Sequence, residues 1–221
     1  MSNPPFQIRL SGILMDMDGV LVDSEPILRE AVNQLFAEKG VTVEPADCKP
    51  FLGTGEDHLL AGVAARFGVT LELPKELNRL YTLYLQLIPG RLKVFPGVLA
   101  FLAEARRRHL KLALASSADA TKVAGNLHAV GLLPSKFDTV VDAGDVQRKK
   151  PYPDIFLTAA ERLGLLPAAC LVVEDAVAGV EAAKAAGCRC LAVTNSFTAE
   201  QLRAADWVVT DLAHVPPEVW Q

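Results

Sequence analysis

Six short apolar runs, GILMDM, KLALAS, DTVVDA, CLVVED, RCLAV and DWVVTD, recur along the chain, and none alternates polar with apolar residues as a half-wetted strand does. Strands that are apolar on both faces belong in a parallel sheet covered by helices on each side. Helical patterns lie between them at 98–108, 120–130, 154–163 and 177–186, and Gly131, Gly164 and Gly187 close three of these. Strand and helix alternate, so the expected class is α/β with a doubly wound parallel sheet.

One stretch breaks the alternation. Between about 24 and 93 the sequence shows three amphipathic helical patterns and no strand-like run. The first aligns Ile27, Leu28, Ala31, Val32, Leu35 and Phe36 and stops at Gly40; the second aligns Leu59, Leu60, Val63 and Phe67 before Gly68. The third carries Leu77, Leu80, Tyr81, Tyr84 and Leu87 and ends at Pro89-Gly90, its tyrosines expected as packing residues rather than a sugar-stacking platform. The expected organisation is an α/β core made of 1–23 and 94–221, with an inserted α-helical domain at 24–93. Hinges are expected near 23–26 and 94–97.

In an open parallel sheet, ligands bind outside the carboxyl ends of the strands. The first run ends in Asp16 and Asp18, the second in Ser116 and Ser117, the fourth in Glu174 and Asp175, and Lys150 follows the third. This topology would gather four carboxylates, one ammonium and two hydroxyls on one rim. Two like charges about 4 Å apart repel by about 4 kcal/mol at an effective dielectric of 20, so the acids need a cation. An all-oxygen donor set without His or Cys favours Mg2+, which commonly shares its site with phosphate.

Composition narrows the partners. With 221 residues, 51% of them hydrophobic, the chain can bury a sizeable core, and a formal charge of -4 gives no surface for nucleic acid. The cluster Arg106, Arg107 and Arg108 sits at a helix end, where cations suit the dipole. No apolar run reaches the roughly 18 residues of a membrane span, and MSNPPFQIRL has no leader-type apolar segment. The four scattered cysteines, Cys48, Cys170, Cys188 and Cys190, read as buried reduced thiols; Cys188 and Cys190 lack a second Cys/His pair for zinc. These features lead to the expectation of a soluble monomer of the cytoplasm or a stromal compartment, acting on a small molecule.

The rim inventory suits phosphoryl transfer. A cation between a carboxylate and a phosphate cancels their repulsion, which leaves Asp16 free to attack phosphorus in line. Asp18, on the same loop, can protonate the leaving alkoxide and then deprotonate water. Lys150 and Ser116 offer a positive charge and a hydroxyl donor to the anion. Each element has a plainer reading: an isolated DxD is often a solvated turn, Ser116, Ser117 or Asp119 can cap the following helix, and Glu174-Asp175 suits a helix N-terminus. In the insert, Gly53, Thr54 and Gly55 form either a helix entry capped by Thr54 or a loop laying backbone N–H groups over the substrate. The four histidines share no spacing and read as packing or surface residues, with His58 set apart by its place beside that loop.

The ordered set DMDGVLVDSE, LASS, KKPYPDIF and VVEDAVAGVEAAKAAG resembles the four motifs of the haloacid dehalogenase superfamily, in its phosphatase and phosphomutase branch. The resemblance implies a nucleophile at Asp16, a general acid/base at Asp18, and phosphoryl-holding residues at Ser116 and Lys150, the latter preferred to Lys149 because it precedes Pro151. It implies Mg2+ held by Asp16, the main-chain carbonyl of Asp18, Glu174 and Asp175, under a mobile helical cap that binds substrate. An acid at Asp18 argues against the dehalogenase and phosphonate-cleaving branches. The β-phosphoglucomutase branch is similar in its core, but its cap carries a His and a basic pair where this chain has Leu28 and FLGTGEDHLL, with Gly55, Glu56 and Asp57. The expected function is therefore hydrolysis of a small phosphorylated metabolite, a sugar phosphate, through an aspartyl phosphate; phosphomutase chemistry is the alternative.

Overall fold

The computed structural model describes residues 8–221, so the expectation drawn from MSNPPFQIRL falls mostly outside the described residues. All six apolar runs form strands: β1 (Gly12–Met15), β2 (Lys111–Ala115), β3 (Thr139–Val141), β4 (Cys170–Glu174), β5 (Arg189–Val193) and β6 (Trp207–Val209). They make one parallel sheet in the order β3-β2-β1-β4-β5-β6. The chain starts at the centre, runs outward through β2 and β3, then returns to β4 and runs out the other way. The strand order therefore reverses at β1/β4, where Met15 pairs with Val173.

Burial on both faces accounts for the runs of apolar residues. Leu14, Ala113 and Val172 face α7 (Asp154–Leu163) and α8 (Val177–Ala185), while Ile13, Met15 and Leu114 face the opposite side, where α5 (Val98–Arg107) packs with Phe101 and Ala105. Ile13 and Leu14 are wholly buried, and each such side chain contributes about 1.5–3 kcal/mol of transfer free energy. α6 (Ala120–Ala129) follows β2, its N-terminus capped by Asp119, whose carboxylate accepts from the N–H groups of Thr121 and Lys122.

The stretch between β1 and β2 is helical as its stripes require: α1 (Glu25–Ala37), α3 (Glu56–Phe67) and α4 (Leu73–Leu87). A short α2 (Pro45–Cys48), followed by a 3-10 turn at Lys49–Phe51, is an addition to the expected set. The two connections to the sheet run side by side: the Asp23 N–H donates to Lys93 O and the Phe95 N–H to Leu21 O. Buried apolar side chains continue from the sheet through Leu35, Leu60 and Leu80, and Tyr81 and Tyr84 are both buried. Cys48, Cys170, Cys188 and Cys190 are buried and unpaired with one another. Among the described residues, no helix is long and apolar enough to cross a membrane.

Candidate active site

The reversal at β1/β4 brings three of the strand-end acids together. Carboxylate oxygens of Asp16, Glu174 and Asp175, all buried, lie within 4.8 Å of one another. Lys150 reaches them from the loop after β3, its Nζ 2.6 Å from Asp16 Oδ1 and 2.5 Å from Glu174 Oε1. The other Glu174 oxygen accepts from the N–H groups of Asp175 and Ala176. That carboxylate is thus held on both sides, and Gly179 leaves room for it: a Cβ there would stand 1.9 Å from the carboxyl group.

Three carboxylates face one ammonium, and the imbalance shows in their proton affinities. Burial, opposed by Lys150 and reinforced by Glu174, pushes Asp16 up to about 7. Burial, with Glu174 and Asp16 alongside, also holds Asp175 well above the usual carboxylate range. Burial works against the Lys150 ammonium, yet Asp16 and Glu174 outweigh it and keep the lysine protonated. A cluster of hard oxygen donors with excess negative charge fits a divalent cation such as Mg2+.

Asp18 is turned away from this cluster. Its carboxylate accepts from the Ser24 hydroxyl, from Asn126 Nδ2 at 3.4 Å, and lies 2.9 Å from Lys122 Nζ. Gly19 makes the turn that follows Asp18, with φ of 80°. A Cβ at Gly19 would also fall 1.9 Å from an Asp175 oxygen, so both backbone and space demand glycine. Asn195, beyond β5, donates to Gly19 O at 2.7 Å and fixes the loop from the other side.

A cavity opens in front of these residues, between the strand ends and α1 and α3. Its walls include Asp16, Asp18, Ser117, Lys122 and Asp175 from the sheet side, and Leu28, Gly53, Gly55, Glu56 and Leu59 from the inserted helices. Of the two serines, Ser117 lines the cavity, and its buried hydroxyl has no partner among the described residues. Ser116 lies behind it, its Oγ accepting from the Ala118 N–H, which leaves the hydroxyl proton available to an anion. Gly53 and Gly55 reach the cavity wall, whereas the Thr54 hydroxyl donates to Phe51 O and meets His58 Nδ1, inside its own loop. Helix α3 is entered through Gly55 rather than a Thr54 cap.

Lys122, Asn126, Ser24 and Asn195 escape the sequence reading. Lys122 and Asn126 stand four residues apart on α6, beside Val123 and Leu127 on its buried face. A lysine and an asparagine sharing an apolar stripe are the signal that could have revealed them.

Fold and site together define a doubly wound α/β enzyme whose polar groups converge at a topological switch point beneath inserted helices. The family model of haloacid dehalogenase-like hydrolases matches residues 10–187, and the chain belongs to that family. It is 44% identical over 202 residues to the chloroplastic protein SUPPRESSOR OF QUENCHING 1 of Arabidopsis thaliana; the match takes in 89% of this chain but 19% of that protein. It is 32% identical to hexitol phosphatase A of Escherichia coli, covering 94% of each. In fold it is similar to the β-phosphoglucomutase of Clostridium difficile, with a TM-score of 0.85 at 24% identity over 95% of this chain and 94% of that one.

Proposed function

We propose that the protein is a phosphatase that hydrolyses the monophosphate ester of a small neutral polyol or sugar. The observation that carries this reading is the buried contact, over 134 residues of sequence, of Lys150 with Asp16, which lines a cavity together with Asp18 and Ser117. Asp16 is the nucleophile. One of its oxygens bonds to phosphorus as the ester P–O bond breaks, and the departing alkoxide takes a proton from Asp18. Asp18 then removes a proton from water, whose oxygen attacks the same phosphorus. The bond to Asp16 breaks, its electron pair returns to the carboxylate, and alcohol and inorganic phosphate leave.

Lys150 and the hydroxyls of Ser116 and Ser117 hold the phosphoryl oxygens. Asp16, Glu174, Asp175 and the main chain at Asp18 hold Mg2+, which when bound supplies the positive charge that lets two anions approach. Residues 24–93 act as a cap over a core of 1–23 and 94–221, with Gly53 and Gly55 closing over the substrate and excluding water.

Cap chemistry sets the substrate class. The cap side chains at the cavity wall are Leu28, Phe51, Leu52 and Leu59 with Ser24 and the acids Glu25 and Glu56; Lys122, the cation among the lining residues, is already matched by Asp18 and Glu56. Among the described lining residues a second phosphate at the far end of the substrate finds no free positive charge, which favours hydrolysis of a monophosphate over shuttling between the two ends of a bisphosphate. The relation to a hexitol phosphatase supports the same class. Phosphate release from hexitol, hexose, nucleoside and glycerol phosphates, with and without Mg2+, tests the reading. Mg2+-dependent release from polyol or sugar monophosphates, abolished by Asp16→Asn, is expected; release unaffected by that substitution overturns it.

A further inference from the structure

We propose that Lys122 is a positioning residue which ties the orientation of Asp18 to closure of the inserted helices. The proposal rests on the reading of Asp18 as general acid and of residues 24–93 as a cap. Lys122 is fully buried, and its Nζ stands 2.9 Å from Asp18 Oδ2 and 2.6 Å from Glu56 Oε1. An ammonium removed from water needs full compensation by opposite charge. One of its two carboxylates belongs to the catalytic loop, and the other comes from the first residue of α3.

The rest of its surroundings follows the same division. The Tyr84 ring lies under the ammonium, 5.3 Å from centroid to Nζ, and the Tyr84 hydroxyl donates to Asn126 Oδ1 at 2.8 Å. Asn126 in turn donates to Asp18, and the Tyr81 hydroxyl donates to Glu56 Oε2. Helix α6 thus presents Lys122 and Asn126 to Asp18, while α3 and α4 supply Glu56, Tyr81 and Tyr84 from above. If the helices lift, Glu56 and Tyr84 leave together, Lys122 gains water, and the hold on Asp18 loosens. Asp18 is therefore held at the cavity wall only while the helices are closed. A second cap-to-core pair, Lys149 with Asp57 at 2.7 Å, sits at the next residue of the same helix and fastens the rim.

Leaving-group dependence tests the proposal. A hexitol 6-phosphate needs a proton on its departing oxygen, whereas p-nitrophenyl phosphate releases a stable phenolate without one. Lys122→Met is expected to lower kcat/KM for the alkyl ester by roughly 10²-fold and for the nitrophenyl ester by less than about 5-fold. Glu56→Gln should show the same bias with a smaller loss, and the double variant should be no worse than Lys122→Met alone, because Glu56 acts through Lys122. Should Lys122→Met fail to fold, as judged by its thermal melt, the two-ester ratio of Glu56→Gln decides. Equal losses on the two esters, or losses that multiply in the double variant, overturn the positioning role while leaving the phosphatase reading intact. Full activity of Asp16→Asn overturns the phosphatase reading itself and this proposal with it.

Discussion

Lys150 Nζ lies 2.6 Å from Asp16 Oδ1 although the two residues are 134 apart in sequence, and each is buried. The contact joins the end of the central strand to the loop after the edge strand, and it sets the charge of the whole site. Without the ammonium, Asp16, Glu174 and Asp175 would face one another with no counter-charge among the described residues.

Removing that ammonium by Lys150→Met is expected to destabilise the metal-free protein by about 3 kcal/mol, since breaking a buried pair strands its partners. Chemical denaturation with and without Mg2+ checks it. The variant should depend on the cation for stability more steeply than the parent does, and phosphate release should fall by at least ~10²-fold.

Gly179→Ala sets two effects against each other. Helix propensity favours alanine by about 1 kcal/mol inside α8, but the new Cβ would lie 1.9 Å from the Glu174 carboxyl group. Steric overlap of this size with a carboxylate held by Lys150 and two backbone N–H groups decides the outcome. Activity should drop by more than about 10-fold, while far-UV circular dichroism stays that of the parent.

The pH dependence of the metal-free protein follows from Asp16. Its carboxyl is raised from 3.8 to about 7 in the folded protein, so its contribution to stability is greatest below pH 4 and is lost as pH rises towards 7. Magnesium reverses the trend because its ligands must be deprotonated. At 100 times its Kd, Mg2+ should stabilise by about 2.7 kcal/mol, and the increment in melting temperature should be larger at pH 8 than at pH 5.5. Thermal melts at the two pH values decide the sign.

Much of this was legible in the chain. The six runs apolar on both faces define the parallel sheet, and the acids that end them mark the rim because strand ends of one polarity share an edge. The side chains that orient Asp18 were not legible. Lys122 shows in the sequence only as a lysine on the apolar stripe of α6; its partners come into view once α4 packs on α6, where Leu85 occupies the space left by Gly125. Two successive hydroxyls at a strand end offer no way to tell which faces the cavity, and here Ser117 does. Helix α2 and its 3-10 turn, of four and three residues, are too short to leave a 3.6-residue period.

Burial pushes the thiols of Cys48 and Cys170 up to about 11 and that of Cys188 up to about 12. At pH 8 almost none is thiolate, the reactive form. Iodoacetamide should leave the folded protein unmodified for hours and label all four cysteines in guanidinium chloride, as read by intact mass.

The central claim is that Asp16 carries the phosphoryl group between substrate and water. Rapid acid quench of the enzyme with Mg2+ and a ³²P-labelled hexitol phosphate, followed by peptide mapping, tests it directly. The account predicts label on the peptide containing Asp16, formed and lost at rates that support turnover and absent in Asp16→Asn. Label on another residue, or steady turnover with no labelled protein at any time point, would contradict it.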